Sequence, residues 1–375
     1  MRLCLVALAV LPGEIGGVET YGRAMVQALA EESPHDDIVI VTASEGAAVF
    51  RGLRVRVIEV PFKAKSRIAR VALEQLWLPI LVRHIGPDWV LGLANVLPVF
   101  APCRKAVVVH DVMWRRFPSY YPRLRRLYLN AMVSSSCCVA EKIIAVSHAT
   151  AGDVTAFFGV EPRKIHVVYA GVSLEDVGLS NGSAESVRVL KGMGIAPPFI
   201  FSPTSMFPHK RNEVLLRAYA RTRKTLKEDY QLVFSGVDYR GGWEKTLALA
   251  GELGVAPSVR YIGWAPRTQL SHIYRQAALV TYLSRYEGFG FPVLEAMLAG
   301  CPVLAAKTSG AVPEIIGDAG FLTDGDDVEQ VAVDIHRILT DHPLRQTLQT
   351  RGLERANEFS WRHAAQRIRS LLAEV

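Results

Sequence analysis

The chain alternates between short, almost continuously apolar segments and longer segments in which apolar residues recur every three to four positions. The short segments have the pattern of parallel strands buried on both faces, and the longer ones that of helices with one buried face. In the segment 18–30, for example, Val18, Tyr21, Met25 and Leu29 fall on one face of a predicted helix. In the first half, strands are predicted at 3–10, 37–44, 55–60, 88–93, 106–112, 141–147 and 164–172.

A polar, glycine-rich stretch interrupts this alternation at 173–198 and ends in two prolines, and we interpret it as a linker that can contain one short helix. The alternation then restarts, and 375 residues exceed what a single core holds, so two doubly wound α/β domains are predicted in tandem. The second set of strands is predicted at 199–204, 230–237, 259–265, 278–284, 301–307 and 320–323. The predicted division is a Rossmann-like domain at 1–172, the linker, a second Rossmann-like domain at 199–357 and a C-terminal segment at 358–375.

The first residues, "MRLCLVALAVLPGE", have the composition of a signal peptide, with one arginine before a short apolar run. We interpret them as a buried first strand, because a glycine turn and a helical pattern follow at once, while the signal-peptide alternative stays open. Elsewhere no apolar run reaches the roughly 20 residues of a membrane helix. The five cysteines, of which Cys137 and Cys138 are adjacent, show no metal-binding spacing such as C-x-x-C, and an odd, unpatterned set favours a reducing compartment. A cytoplasmic location is therefore predicted.

Positive charge is concentrated in one part of the first half. The net charge is +7, and residues 51–126 contain 15 Lys and Arg against 4 Asp and Glu. Such a surplus predicts an acidic partner, namely a phosphorylated substrate, an anionic membrane or nucleic acid. Within it, "WRRFPSYYPRLRRLYL" (114–129) mixes arginines with aromatic residues and leucines, which suits a membrane surface or a lipid-diphosphate acceptor better than nucleic acid. An amphipathic helix with solvated arginines is the alternative.

The stretch "RYEGFGFPVLEA" (285–296) brackets a glycine loop with two acids, Glu287 and Glu295. It follows a predicted strand and leads into a helix, so it lies at the carboxyl end of a strand, where open α/β sheets bind ligands. Glycine N–H groups and a helix N-terminus suit an anion, and carboxylates accept hydrogen bonds from sugar hydroxyls. The alternative is a simple strand–helix turn whose acids complement the helix dipole.

At this position, the pattern E-x-G-F-G-x-P-x-x-E-A-M resembles that of the retaining nucleotide-sugar glycosyltransferases of family 4. The resemblance covers nearly the whole chain and implies the GT-B architecture, which consists of two facing Rossmann-like domains. The last resembling segment, "FSWRHAAQRI" (359–368), is similar to the closing helix that crosses back to the first domain. The other segments are "GGVETYGRAMVQAL" (16–29), "VHDVMW" (109–114), "AVSHATAGDVTAFFGVEPRKIHVVYAGV" (145–172), "PHKRNEVLLRAYA" (208–220), "YIGWAPRTQLSHIYRQA" (261–277) and "TSGAVPEIIGDAG" (308–320).

This resemblance implies a role for each matching residue. Glu287 is expected to contact the donor sugar, Glu295 to bind the ribose hydroxyls, and Lys210 to neutralise the departing diphosphate. His110 is expected near the reacting sugar and the acceptor, with Asp111 beside it. The remaining expected substrate contacts are the first-domain glycine loop, Gly16 and Gly17, and the loop around the sugar and phosphates, Gly288, Phe289 and Gly290.

Each of these residues also has a simpler interpretation. Gly16 and Gly17 fit a tight turn between strand and helix, and the pattern "GEIGG" is not a dinucleotide fingerprint. His110 fits a hydrogen-bonded core histidine, and Lys210 fits a solvated helix start, although a cation there opposes the helix dipole.

One departure from the family pattern concerns the cations. The family places an arginine next to the phosphate-binding lysine or several residues upstream, whereas His209 precedes Lys210 here and Arg211 follows it. Either Arg211 takes the place of that arginine, or the second cation is missing.

The sequence therefore predicts a retaining enzyme that moves a hexose of the mannose, glucose or rhamnose type from a nucleoside-diphosphate sugar. The expected acceptor is a hydroxyl on a polysaccharide or a lipid-linked glycan, with peripheral contact to an anionic membrane and no nucleic acid partner. No metal or other cofactor is expected, because protein charge can stabilise the leaving diphosphate. The alternatives are a non-catalytic nucleotide-sugar-binding subunit and a GT-B epimerase or phosphorylase.

Overall fold

A computed structural model of the chain describes residues 1–10, 16–60, 71, 73–173 and 183–374, with the backbone alone at 183 and 184. The chain divides into two compact units. The first contains Met1–Gly171 and Ser360–Val375, and the second contains Val172–Phe359. Part of the predicted linker, residues 174–182, and residues 13–15 of the predicted glycine loop lie outside the described residues.

The first unit is built on a parallel sheet of the strands predicted from the sequence. Their order is β3-β2-β1-β4-β5-β6-β7, which is the doubly wound order. The direction of strand addition reverses between β1 and β4, so the ligand-binding edge of this sheet is expected at the carboxyl ends of those strands. The strands are β1 (Arg2–Val6), β2 (Asp37–Ala43), β3 (Arg56–Val60), β4 (Trp89–Gly92), β5 (Arg104–Val109), β6 (Lys142–Ala145) and β7 (Ile165–Val167).

Helices cover both faces of this sheet. On α1, Tyr21, Met25 and Leu29 are buried, as the apolar spacing predicted. Residues of α3 and α5 share one core cluster with the inner side chains of β1, β4 and β5, so these two helices lie on the same face. The helices are α1 (Gly16–Glu32), α2 (Ala47–Phe50), α3 (Leu78–Ile85, preceded by a π-helical turn at Leu73–Trp77), α4 (Met113–Arg116), α5 (Arg123–Val139) and α6 (His148–Phe158).

The second unit repeats the same architecture. Its parallel sheet has the order β10-β9-β8-β11-β12-β13, with the reversal between β8 and β11. The strands are β8 (Phe199–Ser202), β9 (Gln231–Phe234), β10 (Val259–Tyr261), β11 (Leu279–Tyr282), β12 (Val303–Ala306) and β13 (Phe321–Thr323). The helices are α7 (Ser183–Gly192), α8 (Asn212–Thr222), α9 (Gly242–Glu252), α10 (Arg267–Gln276), α11 (Phe291–Leu298), α12 (Val312–Ile316), α13 (Val328–Thr340) and α14 (His342–Asn357).

The unit boundaries differ from the predicted domain boundaries in one respect. Helix α7 lies within the segment assigned to the linker, yet it packs on α10 as part of the second unit. There the buried Ser186 hydroxyl lies 2.9 Å from Nδ1 of His272. This helix is therefore an integral element of the second domain.

The C-terminal helix, α15 (Trp361–Ala373), returns to the first unit, as the family resemblance implied. Its buried face packs on α1, and Arg369 Nε lies 2.9 Å from Asp36 Oδ2. A side chain at Gly171 would come within 2.1 Å of the Trp361 backbone nitrogen, so only glycine lets the chain pass this point. None of the described helices is both long enough and apolar enough to cross a membrane.

Candidate active site

Lys210 and Glu287 meet at the carboxyl edge of the second sheet. Lys210 ends a 3-10 turn (Pro208–Lys210) after β8, and Glu287 lies in the loop after β11. Because β8 and β11 are neighbours at the reversal point, the two loops adjoin, and Lys210 Nζ lies 2.5 Å from Glu287 Oε1. The two side chains are 13% and 14% exposed. The structure thus brings together two of the residues that the sequence predicted.

This ion pair determines the charge of the acid. Burial alone would raise the pKa of Glu287, but the charge of Lys210 and its hydrogen bond outweigh that effect and lower the pKa. The Lys210 ammonium also lies 5.3 Å from the ring centroid of the buried Tyr282. Because an ammonium carries more than one N–H donor, Lys210 can hold Glu287 and still donate to a second acceptor. The edge therefore carries an ionised acid and an oriented cation.

Glu295 is held by a residue that the sequence did not identify. It lies in the second turn of α11, and the hydroxyl of Tyr274 on α10 donates to its Oε2 at 2.9 Å. Burial raises the pKa of Tyr274 well above its usual range, and the charge of Glu295 raises it further. The phenol therefore stays protonated and donates to the carboxylate. Nothing in the sequence around Tyr274 indicated this contact, because a buried helix face predicts packing rather than a hydrogen bond.

The loop before α11 depends on the conformation of its glycines. Gly290 is the N-cap of α11 and has φ of 113°, a conformation that residues with a side chain rarely adopt. Phe289 is buried, and its ring centroid lies 5.0 Å from that of Phe291, so its side chain anchors the loop to the protein core. Gly288 is half-buried. Two of the three expected loop residues therefore have clear structural reasons for their identity.

A second turn supports Glu287 from behind. The Ala311 backbone N–H donates to the Glu287 carbonyl at 3.0 Å. A side chain at Gly310 would lie 2.5 Å from that carbonyl, and φ at Gly310 is 62°, so both space and conformation require glycine. The loop carrying Glu287 is thus fixed by the segment after β12.

His209, which stands where the family arginine is expected, does not supply a cation near neutral pH. Burial and the adjacent Lys210 ammonium lower the pKa of His209 to about 4. Its carbonyl accepts a hydrogen bond from the Arg285 backbone N–H at 2.8 Å, which joins the loop after β8 to the loop after β11.

The Arg211 guanidinium is engaged by the chain itself. Its Nε and Nη2 donate to the two oxygens of Asp326 at 2.9 and 2.5 Å. Nη1 donates to the Leu283 carbonyl at 3.1 Å, and both terminal nitrogens reach Thr308 Oγ1 at 3.4 Å. The side chain is only 5% exposed. The expectation that Arg211 binds the diphosphate stays a prediction, and these contacts compete with it.

Asp324 and Asp326 form a D-x-D triplet, which the expectation of a metal-free site did not take into account. Asp326 accepts from Arg211 and, at 3.3 Å, from Arg285, while Asp324 lies 3.5 Å from the Lys307 ammonium. Both carboxylates therefore face protein cations. Over the described ranges, no group of three or more Asp, Glu, His or Cys side chains is placed to hold a metal ion.

In the first unit, His110 directly follows β5 at the carboxyl edge of the sheet. Its Nε2 lies 2.8 Å from the Leu93 carbonyl, a contact that requires the proton on Nε2, and its ring meets the edge of Tyr21 at a centroid distance of 4.8 Å. Burial lowers the pKa of His110 to about 4, and the Leu93 carbonyl opposes this only in part. His110 is therefore a neutral, oriented imidazole.

Asn95 organises the same edge and was missed by the sequence reasoning. It follows β4 with φ of 62°, unusual for a residue with a side chain. Its Oδ1 accepts from the His110 backbone N–H at 2.8 Å, and its Nδ2 donates to the Asp111 carbonyl at 3.4 Å. The Asp111 carboxylate in turn accepts from the Met113 N–H at 3.0 Å. An asparagine two residues beyond the predicted strand 88–93 was the available signal, since asparagine adopts this conformation more often than most residues with a side chain.

Gly16 and Gly17 occupy the first turn of α1 and are exposed. Among the described residues, which do not include 11–15 just before this turn, a side chain at Gly16 would meet no atom within 4 Å. Packing against the described residues therefore does not require glycine at this position.

Comparisons with known proteins agree with this geometry. The family described as Glycosyl transferases group 1 matches residues 194–355, and Glycosyltransferase Family 4 matches residues 15–176. O-antigen chain mannosyltransferase B of Escherichia coli is 31% identical over 260 residues, which cover 69% of this chain and 67% of that protein.

Among solved structures, Anabaena Alr3699/HepE in complex with UDP and glucose has a TM-score of 0.78 at 19% identity over 100% of both chains. WaaG, a glycosyltransferase involved in lipopolysaccharide biosynthesis, has a TM-score of 0.76 at 18% identity over 100% of both chains. At these identities the likeness shows the fold, and it confirms the predicted GT-B class.

Proposed function

Since the chain belongs to the group 1 glycosyltransferases of family 4, we propose that it is a retaining hexosyltransferase that uses a nucleoside-diphosphate sugar. The observation that carries this proposal is the Lys210–Glu287 pair at the reversal point of the second sheet. A hexose of the mannose type is favoured, because O-antigen chain mannosyltransferase B, which is 31% identical over 69% of this chain, transfers mannose. Retention of configuration is proposed from the family resemblance.

Lys210 would stabilise the leaving group. Departure of a nucleoside diphosphate develops negative charge on a phosphate oxygen, and a fixed donor aimed at such charge is worth about 2.7–4 kcal/mol in other enzymes. The buried pair with Glu287 orients the ammonium in advance, so little reorganisation is needed as the charge develops. The first-turn N–H groups of α11, which receive no side-chain cap, would add further donors.

The two acids would divide the donor between them. Glu287, kept ionised by Lys210, would accept from the hydroxyls of the transferred sugar. Glu295, fixed by the Tyr274 hydroxyl, would accept from the ribose hydroxyls. A rigid carboxylate loses less entropy on binding than a mobile one, so the Tyr274 contact favours affinity.

His110 would serve the transferred sugar or the acceptor as a neutral imidazole. With its Nε2 proton directed to Leu93, the remaining Nδ1 is a hydrogen-bond acceptor. An acceptor nitrogen suits a sugar hydroxyl. The pKa of about 4 keeps this state constant through the neutral range.

The diphosphate would be neutralised without a metal ion. Lys210 and the helix N-terminus supply positive potential at the edge. The D-x-D triplet is paired with Arg211, Arg285 and Lys307, which would have to be displaced for a cation to bind.

The acceptor would be a glycan carried at an anionic membrane surface on the cytoplasmic side. At the start of α5, Leu124 and Leu127 are 82% and 66% exposed. Arg123 and Arg126 flank Leu124, and Leu127 directly follows Arg126; in the described structure neither arginine forms a salt bridge. Exposed leucines beside arginines suit the boundary between headgroups and acyl chains.

A second apolar surface on the same face of the first sheet supports this assignment. Leu76, Trp77 and Ile80 around the start of α3 are exposed, as is Phe100. Gln75 joins these segments, because its amide donates to the Leu97 carbonyl at 2.9 Å and accepts from the Val99 N–H at 3.1 Å. Exposed apolar surface of this kind, with a tryptophan, is typical of an interfacial contact.

A thermal-shift screen of UDP-glucose, GDP-mannose and dTDP-rhamnose tests the donor, followed by release of nucleotide with and without a glycan acceptor. A ligand at 100 times its Kd stabilises the protein by about 2.7 kcal/mol. The expected result is stabilisation by one nucleotide sugar, with turnover and with the anomeric configuration kept in the product. Binding without turnover would favour the non-catalytic subunit, an alternative that the engaged Arg211 supports. Product formation without an acceptor would favour an epimerase, and dependence on a pyridoxal cofactor would favour a phosphorylase.

A further inference from the structure

Arg211 connects the loops that follow four adjacent strands of the second sheet. It lies in the loop after β8, directly after Lys210. Its guanidinium reaches Leu283 after β11, Thr308 after β12 and Asp326 after β13. These strands are consecutive in the sheet order β8-β11-β12-β13. One buried side chain thus connects the loops after four of the six strands, including the two loops that carry Lys210 and Glu287.

The surroundings of Arg211 are shaped to hold it. Its backbone has φ of 55°, an uncommon conformation for a residue with a side chain. At Gly325, a side chain would lie 2.8 Å from Nη1 of Arg211, so glycine leaves the space that the guanidinium fills. Asp326 takes two N–H groups in a bidentate contact, which lysine cannot reproduce.

The contacts of Arg211 lie very close to the proposed catalytic pair, Lys210 and Glu287. His209 and Lys210 immediately precede Arg211, and the His209 carbonyl is bonded to the Arg285 N–H two residues before Glu287. A movement of the Arg211 backbone would therefore shift the Lys210 ammonium relative to Glu287. Displacements of about 1 Å in a reacting geometry cost on the order of 100-fold in rate.

We propose that Arg211 is a positioning residue, whose contact with Asp326 sets Lys210 against Glu287, and that it does not bind the diphosphate. This inference rests on the proposed function of the same site. Asp326, whose side chain is 56% exposed, is then also a positioning residue, because it holds the Arg211 guanidinium in place.

The two roles of Arg211 predict opposite results for Asp326→Asn. If Arg211 positions Lys210, loosening its partner lowers turnover by about tenfold or more, while the Kd for UDP or GDP, measured by calorimetry, changes less than about threefold. If Arg211 binds the diphosphate, removing the competing carboxylate charge keeps turnover and tightens nucleotide binding, which would overturn the proposal. Arg211→Lys is expected to match Asp326→Asn.

Matched controls separate positioning from a general loss of charge. Arg217→Lys changes a half-exposed arginine on α8 that pairs with Glu213, and Asp229→Asn changes an exposed acid paired with Arg223. Both are expected to keep wild-type turnover. In a Lys210→Ala background, Arg211→Lys is expected to cost nothing further, because it acts through Lys210; independent, multiplying losses would refute this.

If the protein turns over no nucleotide sugar, the proposed function is refuted, but the positioning role of Arg211 can still be tested by crystallography. A crystal structure of Asp326→Asn is expected to show the contact between Lys210 Nζ and Glu287 Oε1 lengthened or broken. The 2.5 Å contact retained in that variant would show that Arg211 does not position the pair.

Discussion

Lys210 Nζ and Glu287 Oε1 lie 2.5 Å apart although the two residues are separated by 77 positions in the chain. They meet because β8 and β11 are neighbours at the point where the strand order reverses. The pair holds the acid ionised and the cation in place, so a change in either residue alters both.

Lys210→Ala is expected to lower turnover far more than donor binding, because the charge on the leaving group is largest in the transition state. A loss of about 100-fold or more in kcat corresponds to the removal of one preorganised donor. Without the lysine, burial is expected to raise the pKa of Glu287, so the remaining activity should increase with pH. Stopped assays of nucleotide release at several pH values measure both effects.

The exposed Lys245 on α9 provides the control, and Lys245→Ala should retain wild-type kinetics. Unchanged turnover in Lys210→Ala would remove the leaving-group role from this residue.

Glu287 was predicted from the sequence because a glycine loop between a strand and a helix is a local pattern, whereas Lys210 was expected only from the family resemblance of the segment 208–220. The strands were also predicted from a local pattern, since burial on both faces leaves continuous apolar segments. The predicted strands extended too far at their carboxyl ends, for example 106–112 against Arg104–Val109 for β5, since buried edge-loop residues such as Val112 are apolar too.

What the sequence did not predict depends on contacts between distant segments. Tyr274 reaches Glu295 across 21 positions and Arg211 reaches Asp326 across 115, and neither pattern is visible locally. The sequence around Asn95 indicates at most its positive φ and not its hydrogen bonds. Glycine is required at position 310 because the Glu287 carbonyl comes so close, which only the folded structure shows. These residues support the site, so their identity follows from the tertiary structure.

Glu295→Gln is expected to weaken nucleotide affinity by about tenfold or more, because a hydrogen bond to a charged group is worth about 1.5–3 kcal/mol. Tyr274→Phe should produce a smaller loss in the same direction, since it frees the carboxylate without removing it. Calorimetric titration with UDP and GDP measures both variants. Tyr219→Phe, which removes a buried hydroxyl bonded to the Tyr230 carbonyl, should affect stability alone. Equal affinity in Glu295→Gln and wild type would exclude the ribose role.

His110→Gln is expected to reduce turnover by about 100-fold while the protein remains folded, because the neutral imidazole is proposed to contact a sugar hydroxyl.

The same variant tests the lowered pKa of His110. The ordinary value of 6.5 falls to about 4 in the folded protein for both His110 and His209. Between about pH 6.5 and pH 4, the two histidines are therefore protonated in the unfolded chain but neutral in the folded chain. The free energy of unfolding should consequently decrease as the pH is lowered through that range.

Urea unfolding at pH values between 7.5 and 4.5 measures this slope, which should be shallower in His110→Gln than in wild type. The exposed His363 supplies a control for the substitution itself, and His363→Gln should keep wild-type stability at pH 7.5 and wild-type turnover. A large loss of stability at pH 7.5 with normal turnover would identify His110 as a core histidine.

Saturating chelator is expected to leave most of the activity, because Lys210 and the N-terminus of α11 are proposed to neutralise the diphosphate. The rate should be measured after dialysis against EDTA and again after addition of magnesium or manganese. A complete loss that magnesium restores would contradict the metal-free proposal and direct attention to Asp324 and Asp326, the D-x-D triplet paired with protein cations.

Membrane contact should be tested with arginines whose side chains form no contacts that stabilise the folded protein. Arg116 forms an ion pair with the buried Asp153, and Arg115 donates to the Phe157 carbonyl at 3.0 Å, so reversing either charge would disrupt the first unit. Arg123 and Arg126 flank the exposed Leu124 and are free for this purpose.

Arg123→Glu combined with Arg126→Glu is therefore expected to weaken binding to vesicles that contain phosphatidylglycerol, with donor affinity unchanged. Each arginine near an anionic surface contributes about 1 kcal/mol, so the pair should lower the partition constant about 30-fold or more at low salt. High salt should reduce wild-type binding as the charges are screened. Leu124→Ser, which keeps both arginines, should weaken the part of the binding that resists salt, because exposed leucine contributes by burial in the acyl region. Co-sedimentation at two salt concentrations, beside calorimetric titration of the donor, measures the wild type and both variants. If wild type shows no salt-sensitive vesicle binding, these arginines form a solvated face and the acceptor is recognised without the membrane.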